Sequence, residues 1–282
     1  EIPGMPGINR QSKDVLIETI SQDLSLGLSA HMIFPVMSDS EKDHEGTMAA
    51  DDGMPLQSAV RDLKEKFGDE ILLMTDACLC TSTDHGHCGL LEGHTILNDL
   101  SVEKLVEIAL SHARAGTDYV CLSDMMDGRV LSVRRSFENE GFKSTGIMSY
   151  SVKYASSFYG PFREAASSSP SFGDRSSHQM DVRSDYREAI LEARADVDEG
   201  CDISMVKPGL PYLDVLSEVS SSIERPVAVY NVSGEYSMVM GYAKDPVQRK
   251  RVVLEILGSF SRAGADIIVS YHSREAVREG WV

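Results

Sequence analysis

Runs of apolar residues with the length of β-strands recur along the whole chain. Within each run the apolar residues are continuous and do not alternate with polar ones, a pattern typical of parallel strands covered on both faces. The pattern therefore predicts a buried parallel sheet. The seven runs cover residues 30–36, 70–77, 118–124, 145–151, 202–208, 226–232 and 265–271.

Stretches of helical length lie between these runs, among them 101–116, 183–200 and 245–264. Several of them end in glycine directly before the next run, as helices commonly do. The pair Asp245-Pro246 is a typical helix start. Alternating strands and helices predict an α/β fold with a parallel sheet. The length of 282 residues fits one large domain or two small ones.

The number of strands bears on the architecture. A (β/α)8 TIM barrel needs eight strands, but seven runs are visible, and the first helix-like stretch (12–27) has no run before it. Either the sheet is open, or the sequence as given lacks the N-terminal arm and first strand of a barrel. We favour the second interpretation and predict a single βα-barrel domain over residues 1–282.

Two stretches lack periodicity. Residues 165–180 are rich in serine and too long for an ordinary connection between elements. They follow the strand region of Lys153 and carry Arg175, so we predict an active-site lid. The alternative is a surface loop without a role. Residues 37–54 are acidic and also irregular.

Charge and composition exclude some classes of partner. The formal net charge of −17, with a pI near 4.8, argues against binding to nucleic acid or to an anionic membrane. No apolar run approaches the roughly 18 to 20 residues that span a bilayer, and no secretion leader opens the chain. We therefore expect a cytoplasmic protein. Salt adaptation and a high-GC codon bias are both open as explanations of the acidic composition.

Two lysines stand at the ends of buried runs, Lys153 in MSYSVKY and Lys207 in SMVKPGLPY. A buried lysine is costly unless it has a function. Because both occupy the same place in two βα repeats, we predict one site with two amines. Neighbouring amines lower each other's pKa. A lysine that is neutral near pH 7 can attack a ketone and form a Schiff base.

Three cysteines have the spacing Cys78-x-Cys80-x7-Cys88. Three thiolates favour zinc, and three protein ligands leave a position for water or substrate, as in a catalytic zinc site. His85 and His87 are candidates for a fourth ligand, and the alternative is a cysteine cluster without a metal. Disulfides are not expected in a chain of this size without a secretion signal.

Polar residues gather where the runs end, which in a βα barrel is the catalytic face. Arg163 and Arg175 add guanidinium groups, which bind carboxylates in a bidentate manner. Together with the two lysines they form a cationic cluster in an acidic protein, which predicts a substrate with a carboxylate. The residues at or just after the run ends include Asp76, Asp124, Asp127, Tyr230, Ser233 and Tyr271.

Five longer motifs stand out: TDACLCTSTDHGHCGLL, SDMMDGRV, MSYSVKYASSFYGPFREAA, MVKPGLPYLDV and AVYNVSGEYSMV. Together they resemble the porphobilinogen synthase family, also called the 5-aminolevulinate dehydratase family, from about residue 3 to residue 273. The resemblance implies a (β/α)8 barrel with an N-terminal arm, assembled into homo-octamers. The sequence as given opens after the family's first strand, in line with the seven runs.

The resemblance also implies an activity. The family condenses two molecules of 5-aminolevulinate to porphobilinogen, with loss of two waters, in tetrapyrrole (heme) biosynthesis. Lys207 matches the lysine that forms a Schiff base with the first substrate, and Lys153 matches the lysine that engages the second. Cys78, Cys80 and Cys88 match the catalytic ligands of the family's zinc-dependent branch.

The other implied roles follow motif by motif. Arg163, Arg175 and Gln179 match the group that binds the carboxylate of the second substrate. Ser233 and Tyr271 match the hydroxyl pair that binds the carboxylate of the first substrate, and Tyr159 and Phe162 match the apolar wall beside it. Asp76 and Asp124 match two carboxylates that transfer protons. Tyr230 joins the substrate-binding residues. Glu192 matches an acidic position that binds an allosteric magnesium ion in some members.

Two rival functions remain open at this point. A class I aldolase also uses a lysine in a barrel, but it needs neither the three cysteines nor a second lysine. A non-catalytic zinc-binding or assembly protein of the same fold is expected to have lost Lys153 or Lys207, and both are present.

Overall fold

The computed structural model describes residues 1–282, and the strands of its main sheet are parallel and ordered as in the chain. The strands are β1 (Ala30–Ile33), β2 (Leu72–Ala77), β3 (Leu91–Glu92), β4 (Thr95–Ile96), β5 (Tyr119–Leu122), β6 (Gly146–Lys153), β7 (Ile203–Lys207), β8 (Val227–Asn231) and β9 (Ile267–Ser270). Seven of them form one sheet in the order β1-β2-β5-β6-β7-β8-β9, while β3 and β4 form a separate antiparallel hairpin.

Helices connect the successive strands of the sheet, as parallel pairing requires. They are α1 (Lys13–Ser25), α2 (Pro55–Phe67), α3 (Asn98–Ala115), α4 (Arg129–Glu140), α5 (Gly160–Ala165), α6 (Tyr186–Asp198), α7 (Leu213–Ser222), α8 (Ser233–Tyr242), α9 (Pro246–Arg262) and α10 (Ser273–Arg278). No helix combines the length and the apolar composition needed to cross a membrane.

The apolar runs predicted the sheet correctly, since each of the seven contains one strand of the barrel. The predicted helices are also present within a few residues of their expected bounds. Asp245 caps α9 by accepting the backbone N–H of Gln248, and Gly116 ends α3 in the left-handed conformation, with φ of 101°. The hairpin of β3 and β4 was not predicted, because each of its strands has two residues and no readable pattern.

The interior of the sheet is filled by apolar side chains from all seven strands. Met32 on β1 and Val269 on β9 pack against the same cluster as Met148 and Met205 in the middle of the sheet. The first and last strands are not paired with each other, yet they contribute to one interior cluster. The sheet therefore curves into a nearly closed barrel, and the predicted βα-barrel fold with seven strands is confirmed.

The outer faces of the strands pack against the helices. Val152, Val206 and Val229 from three adjacent strands form one cluster with Leu216 of α7 and Phe260 of α9. Burial of both faces explains why the runs are continuous in the sequence. It also makes the strands rigid supports for whatever their carboxyl ends carry.

Candidate active site

The two lysines predicted to share a site are register partners on adjacent strands. Lys153 is the last residue of β6, Lys207 is the last residue of β7, and the two are paired directly across the sheet. Both side chains are buried, at 4% and 7% exposure. Side chains of paired residues in neighbouring strands point to the same face, so the two amines share one environment inside the barrel.

Aromatic rings surround the amine of Lys207. Its Nζ lies 4.5 Å from the ring centroid of Tyr230, 4.8 Å from Tyr150, 5.3 Å from Tyr159 and 5.4 Å from Phe162. Burial, followed by the charge of Lys153, lowers the pKa of Lys207 to about 7. A large share of this amine is therefore neutral and nucleophilic at neutral pH.

Lys153 has a more polar environment than its partner. Its Nζ donates a hydrogen bond to the backbone carbonyl of Ser123, and it lies 5.7 Å from the ring of Tyr150. Asp76, on β2, lies near both amines. Burial raises the pKa of the Asp76 carboxyl, while the two lysine charges oppose that rise.

The three cysteines converge. Their Sγ atoms all lie within 4.8 Å of one another, and all three side chains are buried. Hydrogen bonds from Cys78 and Cys80 hold the pKa of the Cys88 thiol well below its ordinary value. Three sulfur ligands on one buried face fit zinc and are poor ligands for magnesium.

The loop that carries these cysteines lies against the segment predicted as a lid. A Cβ on Gly86 (φ +69°) would lie 2.3 Å from the carbonyl oxygen of Ser169, so only glycine fits this approach. The His87 ring contacts the carbonyl of Phe172 through Nε2, at 3.1 Å. His85 accepts the His87 backbone N–H at Nδ1. Both histidines thus contact backbone atoms, and neither belongs to the group formed by the three cysteines.

Arg163, Arg175 and Gln179 bring polar atoms to the barrel end without pairing them fully. Arg175 is buried and donates through one Nη to the carbonyls of Gly86 and Ser168, at 2.9 and 2.5 Å. The Nε atoms of both arginines and both amide atoms of Gln179 are buried without a hydrogen-bond partner. Buried polar atoms are rarely left unpaired, and an anionic ligand would accept hydrogen bonds from the three nitrogen atoms among these four.

The remaining predicted substrate-binding residues surround Lys207. A small cavity beside its amine is lined by Tyr159, Phe162, Tyr230, Ser233 and Tyr271, among others. The hydroxyls of Tyr230 and Tyr271 are 3.1 Å apart, and Ser233 Oγ accepts the backbone N–H of Phe162 at 3.1 Å.

Asp124 and Glu192 lie in a different cluster, around Arg129. Asp124 Oδ1 is 3.6 Å from Arg129 Nε and accepts the backbone N–H of Met126, and burial raises its pKa to about 6. Arg129 also contacts Asp196 at 3.3 Å. The half-buried Glu192 on α6 has a raised pKa because of burial and of nearby Asp196. Neither residue has a hydrogen bond or ion pair to the two lysines.

Sequence reasoning missed several residues that shape the site. Tyr150 contacts both amines, and its apolar context concealed it within a strand run. The Ser123 carbonyl, which binds Lys153, carries no sequence signal, because backbone groups depend on the fold alone. Glu235, buried at the start of α8, would have been expected on a solvated helix face.

At the carboxyl ends of its strands the barrel carries a buried lysine pair and three converging cysteines, which are a candidate Schiff-base site and a candidate metal site. The family model "Delta-aminolevulinic acid dehydratase" matches residues 1–279. The chain belongs to the delta-aminolevulinic acid dehydratase family.

Similar proteins agree with this membership. The delta-aminolevulinic acid dehydratase of Bacillus subtilis is 45% identical, over 98% of this chain and 85% of its own length. That of Methanothermus sociabilis is 47% identical, over 99% of this chain and 86% of its own length.

A solved structure is also similar. It is the Toxoplasma gondii enzyme, described as delta-aminolevulinic acid dehydratase (porphobilinogen synthase) in complex with the reaction product porphobilinogen. It superposes with a TM-score of 0.96 at 44% identity, over 99% of this chain and 80% of that chain. The dihydropteroate synthase of Yersinia pestis, at 13% identity and a TM-score of 0.54, shares the fold alone.

Proposed function

We propose that this chain is a porphobilinogen synthase, a hydro-lyase that condenses two molecules of 5-aminolevulinate to porphobilinogen with loss of two waters. The observation that carries the proposal is the direct register pairing of Lys153 and Lys207 in one buried site. A class I aldolase has no need of a second buried lysine or of the three cysteines beside it.

Lys207 carries out the first covalent step. Its neutral amine attacks the ketone carbon of the first substrate, a proton moves to the carbonyl oxygen, and water leaves to form the Schiff base. The aromatic rings within 5.4 Å exclude bulk water and favour the positive charge that the Schiff base carries when protonated. Ser233 and Tyr271 bind the carboxylate of this substrate, with Tyr159, Phe162 and Tyr230 along its chain.

The second substrate binds on the opposite side of the Lys207 amine. Arg163, Arg175 and Gln179 bind its carboxylate, because their buried nitrogen atoms without a partner in the protein supply hydrogen-bond donors. Lys153 engages its ketone or transfers protons. Asp76, whose pKa is raised by burial, exchanges protons with the two amines, and Asp124 is the second candidate for proton transfer.

Cys78, Cys80 and Cys88 would hold a catalytic zinc ion in this proposal. Such an ion would supply a Lewis acid that polarises a carbonyl or amine group of the substrate. Holding both substrates in register lowers the barrier further, by several kcal/mol in well-oriented systems.

Residues 165–180 form the lid of this single-domain enzyme, residues 1–282. Three contacts support that role: Arg175 to Gly86, the Ser171 N–H to the His85 carbonyl, and His87 to Phe172. Each one joins the segment to the cysteine loop. Closure over the site would exclude water from the reacting groups.

Three further parts of the proposal follow from the family. The enzyme assembles into homo-octamers, Glu192 contributes to an allosteric magnesium site, and the protein works in the cytoplasm. All five cysteines are unpaired, which fits a reducing compartment. Light scattering during size exclusion, with and without magnesium, tests the assembly, and a Glu192→Gln variant tests the magnesium site.

One experiment tests the central claim. The protein is incubated with 5-aminolevulinate, pyrrole formation is measured, and a second sample is reduced with borohydride and mapped by peptide mass spectrometry. We expect pyrrole product and a covalent adduct on Lys207. The absence of pyrrole, or an adduct on another residue only, would contradict the proposal.

A further inference from the structure

Glu235 is a fully buried carboxylate with four hydrogen-bond donors aimed at it. Its Oε1 accepts the backbone N–H groups of Gly209 and Leu210, at 3.1 and 2.7 Å. Its Oε2 accepts the backbone N–H of Val232 at 2.9 Å and the side-chain amide of Asn231 at 2.7 Å. All four partners donate, which favours the ionised carboxylate, while burial opposes them and raises the pKa of Glu235 to about 7.

The donors come from two segments that the proposed reaction uses. Gly209 and Leu210 lie two and three residues after Lys207, which would form the Schiff base. Asn231 and Val232 directly precede Ser233, which would bind the carboxylate of the same substrate. Glu235 thus joins the segment that carries the amine to the segment that carries the hydroxyl.

The network continues to the next strand of the barrel. Asn231 Oδ1 accepts a hydrogen bond from Ser270 Oγ at 2.9 Å, and Ser270 Oγ in turn accepts the backbone N–H of His272 at 3.1 Å. This contact fixes the backbone on both sides of Tyr271. The carboxyl ends of β7, β8 and β9 are therefore linked through one buried carboxylate.

Close packing keeps the two segments from adjusting separately. A Cβ on Gly209 would lie 2.5 Å from the ring of Phe260, and a Cβ on Gly234 would lie 2.6 Å from the carbonyl oxygen of Phe158. Both backbone segments are closely packed against their neighbours, so they have little room to move when the hydrogen bonds of Glu235 change.

Capping of α8 does not account for this arrangement. A carboxylate at this helical position commonly accepts the N–H of the residue before the helix, as Glu235 does with Val232. The bonds to Gly209 and Leu210 reach a loop 25 and 26 residues earlier in the chain and contribute nothing to the helix terminus.

We propose that Glu235 is a positioning residue that sets the distance between the Lys207 amine and the carboxylate-binding pair, Ser233 and Tyr271. The inference rests on the proposed function. In 5-aminolevulinate two methylene groups separate the ketone carbon from the carboxylate, so a fixed distance between the two binding groups selects keto acids of that length.

Glu235→Gln tests the inference with little change of shape. The amide NH2 replaces one oxygen, so either the Val232 N–H and the Asn231 amide, or the N–H groups of Gly209 and Leu210, lose their acceptor, whichever way the amide turns. The matched control is Glu255→Gln, an exposed glutamate on the neighbouring helix α9.

The readout is the rate of Schiff-base formation at Lys207, trapped with borohydride and quantified by mass spectrometry. Three ketones are compared: 4-oxopentanoate, which is the substrate without its amino group; 5-oxohexanoate, which has one more methylene; and butan-2-one, which has no carboxylate. Loss of one buried acceptor corresponds to about tenfold in rate with 4-oxopentanoate. We expect the rate with butan-2-one to change less than about threefold, so that the preference for 4-oxopentanoate over both other ketones falls.

Two results would overturn the inference: unchanged rates with all three ketones, or equal losses with all three, which would mean that Glu235 acts on the amine alone. If Glu235→Gln does not fold, Asn231→Leu, which removes one of the four bonds, is put through the same comparison. Wild-type protein that forms no adduct at Lys207 would refute the proposed function. Normal trapping in the wild type with unchanged selectivity in the variants would refute only the role of Glu235.

Discussion

The two sides of the candidate site differ in how their buried polar atoms are paired. On the lysine side, formed by Lys207 and the segments bound by Glu235, every oxygen of that carboxylate has two donors. On the lid side, formed by Arg163, Arg175 and Gln179, four buried nitrogen and oxygen atoms have no partner.

The difference indicates which parts of the site are complete before ligands bind. An unsatisfied buried polar atom costs roughly 1 to 3 kcal/mol. The unpaired nitrogen atoms on the lid side therefore raise the free energy of the ligand-free protein, and an anion that binds there lowers it. The lysine side carries no such cost and holds its nucleophile in place in advance. Enzymes gain most from rigid placement of the reacting group, which matches the position of Lys207.

The largest expected effect comes from removing the nucleophile on the lysine side. Lys207→Met should lower kcat for pyrrole formation by about 10³-fold or more, because the variant lacks the nucleophile of the first covalent step. Steady-state assays with 5-aminolevulinate measure it. Lys143→Met, an exposed lysine at the end of α4, is the control and should retain full activity. A Lys207→Met enzyme within tenfold of wild type would show that the Schiff base forms elsewhere.

The second effect concerns the cysteine loop next to the lid. Cys88→Ser removes the sulfur whose pKa the other two thiols lower, so bound zinc should fall well below one ion per chain, and activity should fall about 10²-fold. Atomic absorption measures the metal directly, apart from activity. Cys201→Ser is the control, because Cys201 lies before β7 and outside the cysteine group. Full zinc content in Cys88→Ser would contradict the assignment of the metal ligands.

The pH dependence compares the two amines. Burial and the charge of Lys153 lower the pKa of Lys207 to about 7, so the rate of adduct formation with 4-oxopentanoate should rise as the pH increases through about 7. Lys153→Met removes the second of these causes, so the pKa of Lys207 should rise and the midpoint should move to higher pH. Initial trapping rates measured across the pH range decide this. A midpoint that stays in place or moves down would show that Lys153 is neutral or distant in solution.

Local sequence patterns predicted many residues of this site, and the remaining residues could be identified only from tertiary contacts. Strand-length runs predicted the barrel, and equivalent places in two repeats predicted that Lys153 and Lys207 share a site, which their register pairing explains. Glu235 could not be found in this way, because two of its four donors, Gly209 and Leu210, lie 26 and 25 residues earlier in the chain. The same holds for the Ser123 carbonyl, a backbone atom that any residue type would supply.

The smallest effect tests the contrast in pairing itself, with the same kind of substitution on each side. Gln179→Met replaces an amide whose buried atoms are unpaired, so it should stabilise the ligand-free protein by about 1 kcal/mol, a rise in Tm of about 2 °C. Asn231→Leu removes an amide that donates to Glu235 and accepts from Ser270, so the Tm should fall by several degrees. Calorimetry without ligands measures both variants. The changes in Tm are expected to have opposite signs only if the polar atoms on the lid side are free to bind substrate and those on the lysine side form hydrogen bonds within the fold. A lower Tm in both variants would contradict this difference between the two sides.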